Sequence, residues 1–107
     1  MSDQFWAAVQ AQLKEAMSAK SAGDLLRIFG KDRNPYGGAM PFSGEAFFAG
    51  GDGDELWATL HLAGWTPVWT EATYHWAMRA PDGSGVTYVE GDLYGEIQQP
   101  LPHGGEE

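Results

Sequence analysis

Three histidines and a dense set of carboxylates are the groups in this 107-residue chain that invite a catalytic or metal-binding reading. An imidazole beside a carboxylate can pass a proton near neutral pH or hold a metal ion. His61 and His75, bridged by Glu71 or Glu90, would form such a site if folding brought them together. Close spacing offers no support, since neither His-Glu-x-x-His nor His-x-His occurs. His103 stands alone near the end of the sequence. An acid pair such as Glu71 with Glu90 or Asp92 has the composition that glycoside hydrolysis requires. Eleven acids follow Met40, however, so two near neighbours among them are expected by chance. Asp52-Gly-Asp-Glu55 opens like a calcium loop but lacks the glycine at position six and the glutamate at position twelve. The chain has no cysteine, which excludes thiolate ligands, disulfides and a cysteine nucleophile. It also has no Gly-x-Ser-x-Gly elbow and no phosphate loop. No metal or cofactor is therefore expected, and an enzyme or metal protein built on His61 and His75 stands as the alternative reading.

Charge points elsewhere. The chain carries 15 acids against 6 lysines and arginines, a net charge of −9. Up to Met40 the two signs nearly balance; from Pro41 onward Arg79 is the single lysine or arginine. A field of this sign repels nucleic acid and anionic membranes and steers encounter with basic partners. It also keeps a small protein soluble, which is the plainer explanation. No apolar run reaches the roughly 20 residues that span a bilayer. The first residues do not read as a secretion signal, and a cysteine-free chain suits a reducing cytoplasm.

The elements that must position these groups are legible in outline. Ser2 can cap a helix over residues 3–19, with Phe5, Val9, Leu13 and Ala16 as its inward stripe and Trp6 and Met17 widening it. Ser21 and Asp24 resemble a capping box opening a second helix over 22–29, closed by Gly30. Ser43–Ala49 reads as a helical turn anchored by Phe47 and Phe48. Asp52 and Glu55 read as a capping box for a third helix over 53–63, which Gly64 ends. Strands are expected at 66–71, 73–80 and 85–92, with 65–80 either one bulged strand or two. The clearest pattern is the hairpin Tyr74–Arg79, Ala80–Gly85, Val86–Glu90. Pro81, Asp82 and Gly83 fit a type I turn followed by a left-handed residue. That turn places Met78 opposite Val86, Trp76 opposite Tyr88 and Tyr74 opposite Glu90. Tyr74, Trp76, Met78, Val86 and Tyr88 then form the core face. His75, Arg79, Thr87 and Val89 fall on the other, where exposure is the default. The fold class is α+β: two or three helices on a small antiparallel sheet, a hairpin or three-stranded meander. Residues 1–96 form one domain, and 97–107 a flexible acidic tail.

The stretch Gly64-Trp65, Val68-Trp-Thr-Glu-Ala-Thr-Tyr74-His-Trp76, Arg79-Ala-Pro-Asp-Gly83 and Thr87-Tyr-Val-Glu-Gly-Asp92 resembles a pattern in small uncharacterised actinobacteriophage proteins. The resemblance covers residues 56–94 and implies no enzyme activity and no functional residues. It implies a small protein that binds a host or phage protein in the cytoplasm.

Together these features lead us to expect a non-catalytic acidic module that binds a protein with a basic surface. It would contact neither nucleic acid nor membrane; a carboxylate mimic of nucleic acid is a minor alternative. The expected contact surface is Trp65, Trp69, Glu71, Glu90, Asp92 and Tyr94, an aromatic set with an acidic rim. The glycine-rich stretch Gly30–Pro41, with Lys31, Arg33 and Tyr36, is a second candidate, since long loops in small domains are often functional.

Overall fold

The computed structural model describes residues 3–30, 33, 44–48 and 52–100. Among them the order is α1 (Asp3–Ala16), α2 (Ala22–Ile28), β1 (Ala46–Phe47), α3 (Asp54–Leu62), β2 (Thr66–Ala72), β3 (His75–Arg79), β4 (Gly85–Val89) and β5 (Asp92–Tyr94). The five strands form one antiparallel sheet in the order β1-β5-β4-β3-β2. This is the expected α+β class with a larger sheet. Residues 85–92 do not form one strand: Glu90 (φ 50) and Gly91 (φ 105) turn the chain between β4 and β5. Two central residues at positive φ are what a tight two-residue hairpin demands. Nor is 65–80 one strand, because Thr73 and Tyr74 turn between β2 and β3. The helical turn expected around Phe47 is instead β1, paired to β5 through Ala46–Leu93 and Phe47–Asp92.

The β3–β4 hairpin keeps the register its turn dictates, except that Tyr74, expected on the core face, lies in the β2–β3 turn and is exposed. Trp76 faces Tyr88 and Met78 faces Val86. Gly83 N–H donates to the Ala80 carbonyl at 2.9 Å, and Gly83 takes φ 96, a conformation costly to any residue with a Cβ. Alternation then sends Trp76, Met78, Val86, Tyr88 and Leu93 to one face, all fully buried. Val9, Leu13, Ala16, Leu25, Leu56 and Leu60 of the helices join them in one core. Trp76 and Tyr88 stack 5.0 Å apart at its centre, which adds ring contact to the area they bury.

The helical hairpin is fastened to this core by its caps. Ser21 Oγ accepts from Asp24 N–H at 3.0 Å as the capping box predicts, while Asp24 Oδ2 accepts from Lys20 N–H at 3.0 Å, one residue before the N-cap amide that the box would use. The Lys20 N–H and the Arg27 guanidinium hold the Asp24 carboxyl below its usual range. The β3–β4 turn docks here too: Ser84 Oγ accepts from Ala22 N–H at 2.9 Å, and Asp82 N–H donates to the Lys20 carbonyl at 3.2 Å. The capping box expected at Asp52 is absent. Gly53 caps α3 without a side-chain bond, and Asp52 Oδ1 accepts from Thr73 Oγ1 at 2.7 Å instead. Ser2 and the side chain of Phe5 lie outside the described residues. Trp6 and Met17, expected to widen the buried stripe of α1, are 49% and 42% exposed.

Trp65 corrects the expected contact surface. It is 1% exposed, belongs to the core and donates its indole N–H to the Ala19 carbonyl at 3.1 Å. The residue precedes β2, so strand parity does not govern it. No helix among the described residues is long and apolar enough to cross a membrane. Because Trp65 ties the α1–α2 junction to the sheet, Trp65→Ala should destabilise the fold by about 3–5 kcal/mol. Chemical denaturation followed by far-UV circular dichroism measures this, and a loss under 1 kcal/mol would place the indole at the surface.

Candidate functional site

The opposite face of the sheet follows from the same register. One row across the strands runs His75, Val89, Asp92, Phe47; the next runs Trp69, Ala77, Thr87, Tyr94. This face is covered, contrary to expectation. His75 is 8% exposed and Thr87 and Ala77 are fully buried. The cover is the segment after β5, of which 97 onward was expected to fray. Thr87 Oγ1 donates to the Glu96 carbonyl at 2.7 Å and accepts from Gln98 N–H at 2.8 Å. Trp69 Nε1 donates to the Gln98 carbonyl at 2.8 Å. Ile97 lies over Gly85, where an added Cβ would stand 2.2 Å from Ile97 Cδ1, so a larger residue would displace the Ile97 side chain. Residues 101–107 lie outside the described residues.

His75 sits beneath this cover with its ring edge-on to Trp69, centroids 4.8 Å apart. Its Nδ1 is 2.8 Å from Glu71 Oε1, so the histidine has a carboxylate partner as an acid–base site would. His61 does not join it. His61 stacks on Trp57 along α3, on the helical side of the sheet, and the β-strands stand between the two imidazoles. Among the described residues no group of three or more histidines and acids could hold a metal ion. His75 and Glu71 serve as a packed pair under Trp69.

The expected contact residues separate into three places. Trp69, Glu71, Asp92 and Tyr94 share the covered face, with Trp69 and Tyr94 at opposite sides of the strap formed by 96–98. Burial pushes the Asp92 carboxyl above its ordinary value of 3.8, opposed by a hydrogen bond from Tyr94 and reinforced by Glu90. Arg33 is structural: it pairs with Glu15 through both guanidinium arms, one at 2.7 Å. Its carbonyl accepts from Gln12 Nε2 at 2.9 Å, and Gln12 also bonds the Ile28 carbonyl at 3.0 Å. Lys31 and Tyr36 lie outside the described residues. Glu90 belongs to the third place, the end of the sheet where two turns meet.

At that end Glu90 N–H donates to the Tyr74 carbonyl at 2.8 Å, and Gly53 N–H donates to the Thr73 carbonyl at 2.8 Å. These backbone bonds bring the turns that carry Asp52, Asp54, Tyr74 and Glu90 to one end of the sheet, and Tyr74 is 46% exposed there. No lysine or arginine occurs in 52–57, 71–78 or 85–100. Burial first, then the carboxylates of Asp52, Asp54 and Asp92, push the Tyr88 phenol well above its ordinary value. Behind this rim, between α3 and β2, lies a cavity of about 130 Å³ lined by Asp54, Trp57, Thr70, Thr73 and Trp76. Sequence reading missed it. Asp54 and Trp57 share a helix face at i, i+3, but the facing strand positions depend on two irregularities in β2, between Pro67 and Trp69 and between Thr70 and Ala72.

No protein-family model matches the chain, and neither a curated protein nor a solved structure matches it.

Two outcomes test this geometry. Thr87→Val should remove both bonds to the strap, costing about 1–2 kcal/mol. Hydrogen exchange at the Gln98 amide should accelerate while the β3 and β4 amides stay protected. Asp92 should give a pH signature. A folded carboxyl that titrates above its unfolded value contributes stability that is full below the unfolded value and is lost as pH rises past the folded one. Asp92→Asn should therefore gain on the parent protein as pH rises from about 3 to 7 in thermal melts, and a gain that shrinks with pH would reverse the assignment.

Proposed function

We propose that the chain is a non-catalytic, acidic protein-binding module whose docking surface is the carboxylate-ringed end of the sheet around Tyr74. The observation that carries this reading is Glu90. It is exposed, and it occupies a left-handed backbone position (φ 50) that glycine or asparagine would fill at lower cost. Strain of this kind is retained where a side chain is wanted for something other than folding. Beside it an exposed tyrosine offers contact area at little entropic cost, and the turns that meet there carry Asp52, Asp54 and Glu90 and no lysine or arginine. An aromatic centre inside a ring of one charge suits a partner of the opposite charge, here a basic protein surface. The resemblance of residues 56–94 to small actinobacteriophage proteins supports a role as an accessory factor or antagonist of a host or phage protein in the cytoplasm. The reading based on His61 and His75 is not favoured, because the sheet separates the two rings.

The test uses a substitution that improves the fold and impairs the function. Glu90→Asn should raise stability by about 0.5–1 kcal/mol, since asparagine tolerates the left-handed turn. The same change, combined with Tyr74→Ala, should abolish capture of a basic partner from host lysate, and capture by the parent should weaken with added salt. Capture that is indifferent to salt and to both substitutions would overturn the proposal.

A further inference from the structure

We infer that the solvent face of α1 is a self-association surface, on which a second copy of the chain docks its own α1 antiparallel about a two-fold axis. Trp6 and Met17, 49% and 42% exposed, stand at the two ends of this face. Met17 follows the last helical residue and keeps its turn, its N–H donating to the Lys14 carbonyl at 3.3 Å. Between them lie Ala7, Gln10, Ala11 and Lys14, all exposed. A helix that merely covers a core gives its outer face to charged and polar groups. Here Lys14 is the one charge among those six side chains, in a chain with 15 acids. Glu15, at the margin, is bound to Arg33. Two large apolar side chains left in water on an almost uncharged face mark a contact surface.

Symmetry and charge name the occupant. With a rise of about 1.5 Å per residue, an axis midway between Trp6 and Met17 passes beside Ala11. Antiparallel copies related by that axis set Trp6 against Met17 of the second copy, twice over. They also bring Gln10 within one residue's rise of Lys14 of the second copy. The bulky contacts fall at the ends, where thioether meets indole, and the small Ala7 and Ala11 lie between them and let the helices approach. Lys14 meets a carboxamide rather than its own symmetry mate. Charge bars a second copy elsewhere: from Pro41 onward eleven acids stand against one arginine, so two such surfaces repel. Residues up to Met40 nearly balance, and α1 belongs to that part. A basic partner, by the same argument, is drawn to the acidic end of the sheet and not to a face whose one charge is Lys14. One helix pair is a small interface, so the dimer is weak.

Sedimentation equilibrium of the full chain measures this. A monomer–dimer equilibrium should appear, with a dissociation constant on the order of 100 μM. Added salt should tighten it by screening the −9 charge of each copy, the opposite of its effect on capture of a basic partner. Met17→Lys, an exposed change whose melting temperature serves as the folding control, should weaken the dimer at least about tenfold. Gln10 reports the register. Gln10→Glu should tighten the dimer through Lys14 of the second copy, although it adds negative charge, and Gln10→Lys should weaken it. Tyr74→Ala should leave it unchanged. A monomeric mass at every concentration up to about 1 mM would overturn the proposal and leave the face to another protein or to the chain's own end. So would a dimer indifferent to Met17→Lys, one loosened by salt, or Gln10 variants in the reverse order.

Discussion

The two central strands are buried on both faces, and the rest of the architecture answers to that constraint. From His75 to Met78 and from Gly85 to Tyr88, consecutive side chains are nearly or fully inaccessible, so the sheet requires cover on each side. On one side three helices supply it with an apolar core around the Trp76–Tyr88 stack. On the other the cover is thin and partly polar. It consists of Trp69 from the neighbouring strand, the His75–Glu71 pair, and a strap whose main chain is gripped by Thr87 and Trp69. Backbone polar groups laid against a sheet face need partners, and a buried threonine hydroxyl meets that need by donating to one carbonyl and accepting from one amide.

How far the sequence disclosed this follows the reach of each physical rule. A turn of known type fixes register, so the β3–β4 pairing could be read residue by residue. Caps and helical spacing located α1 and α2 because those signals act within a few residues. Parity assigned His75 and Thr87 to the second face correctly, yet could not say that the face would be covered. That depends on Gly85 leaving room for Ile97, a contact twelve residues apart in a stretch without periodicity. The shortest strands, β1 and β5, offer two and three residues, too few for alternation to register. The Asp52 box failed because a tertiary partner, Thr73, competed for the same carboxylate.

The expected contact residues show the same limits. Trp65 and Trp69 are spaced as if on one side of a strand, but Trp65 precedes β2 and drops into the core, while Trp69 spans the opposite face. Glu90 was legible as an acid at a hairpin end; its left-handed backbone was not, because a three-residue extension of β4 through Asp92 fitted the sequence equally well. The cavity by α3 could not be foreseen, since Asp54, Trp57, Thr70 and Trp76 meet only after the two bulges of β2 have reset which side chains face the helix.

Those bulges also bear on how the molecule recognises anything. β2 is an outer strand of seven residues, mostly exposed, and such an edge would ordinarily accept an added strand from another chain. Pro67 removes one donor from it, and two register shifts break its hydrogen-bonding repeat. Pairing by main chain is thereby discouraged, while side chains on and beside the strand remain presented to solvent. What this edge leaves at its surface is side-chain chemistry, chiefly Val68, Thr70 and the neighbouring Tyr74.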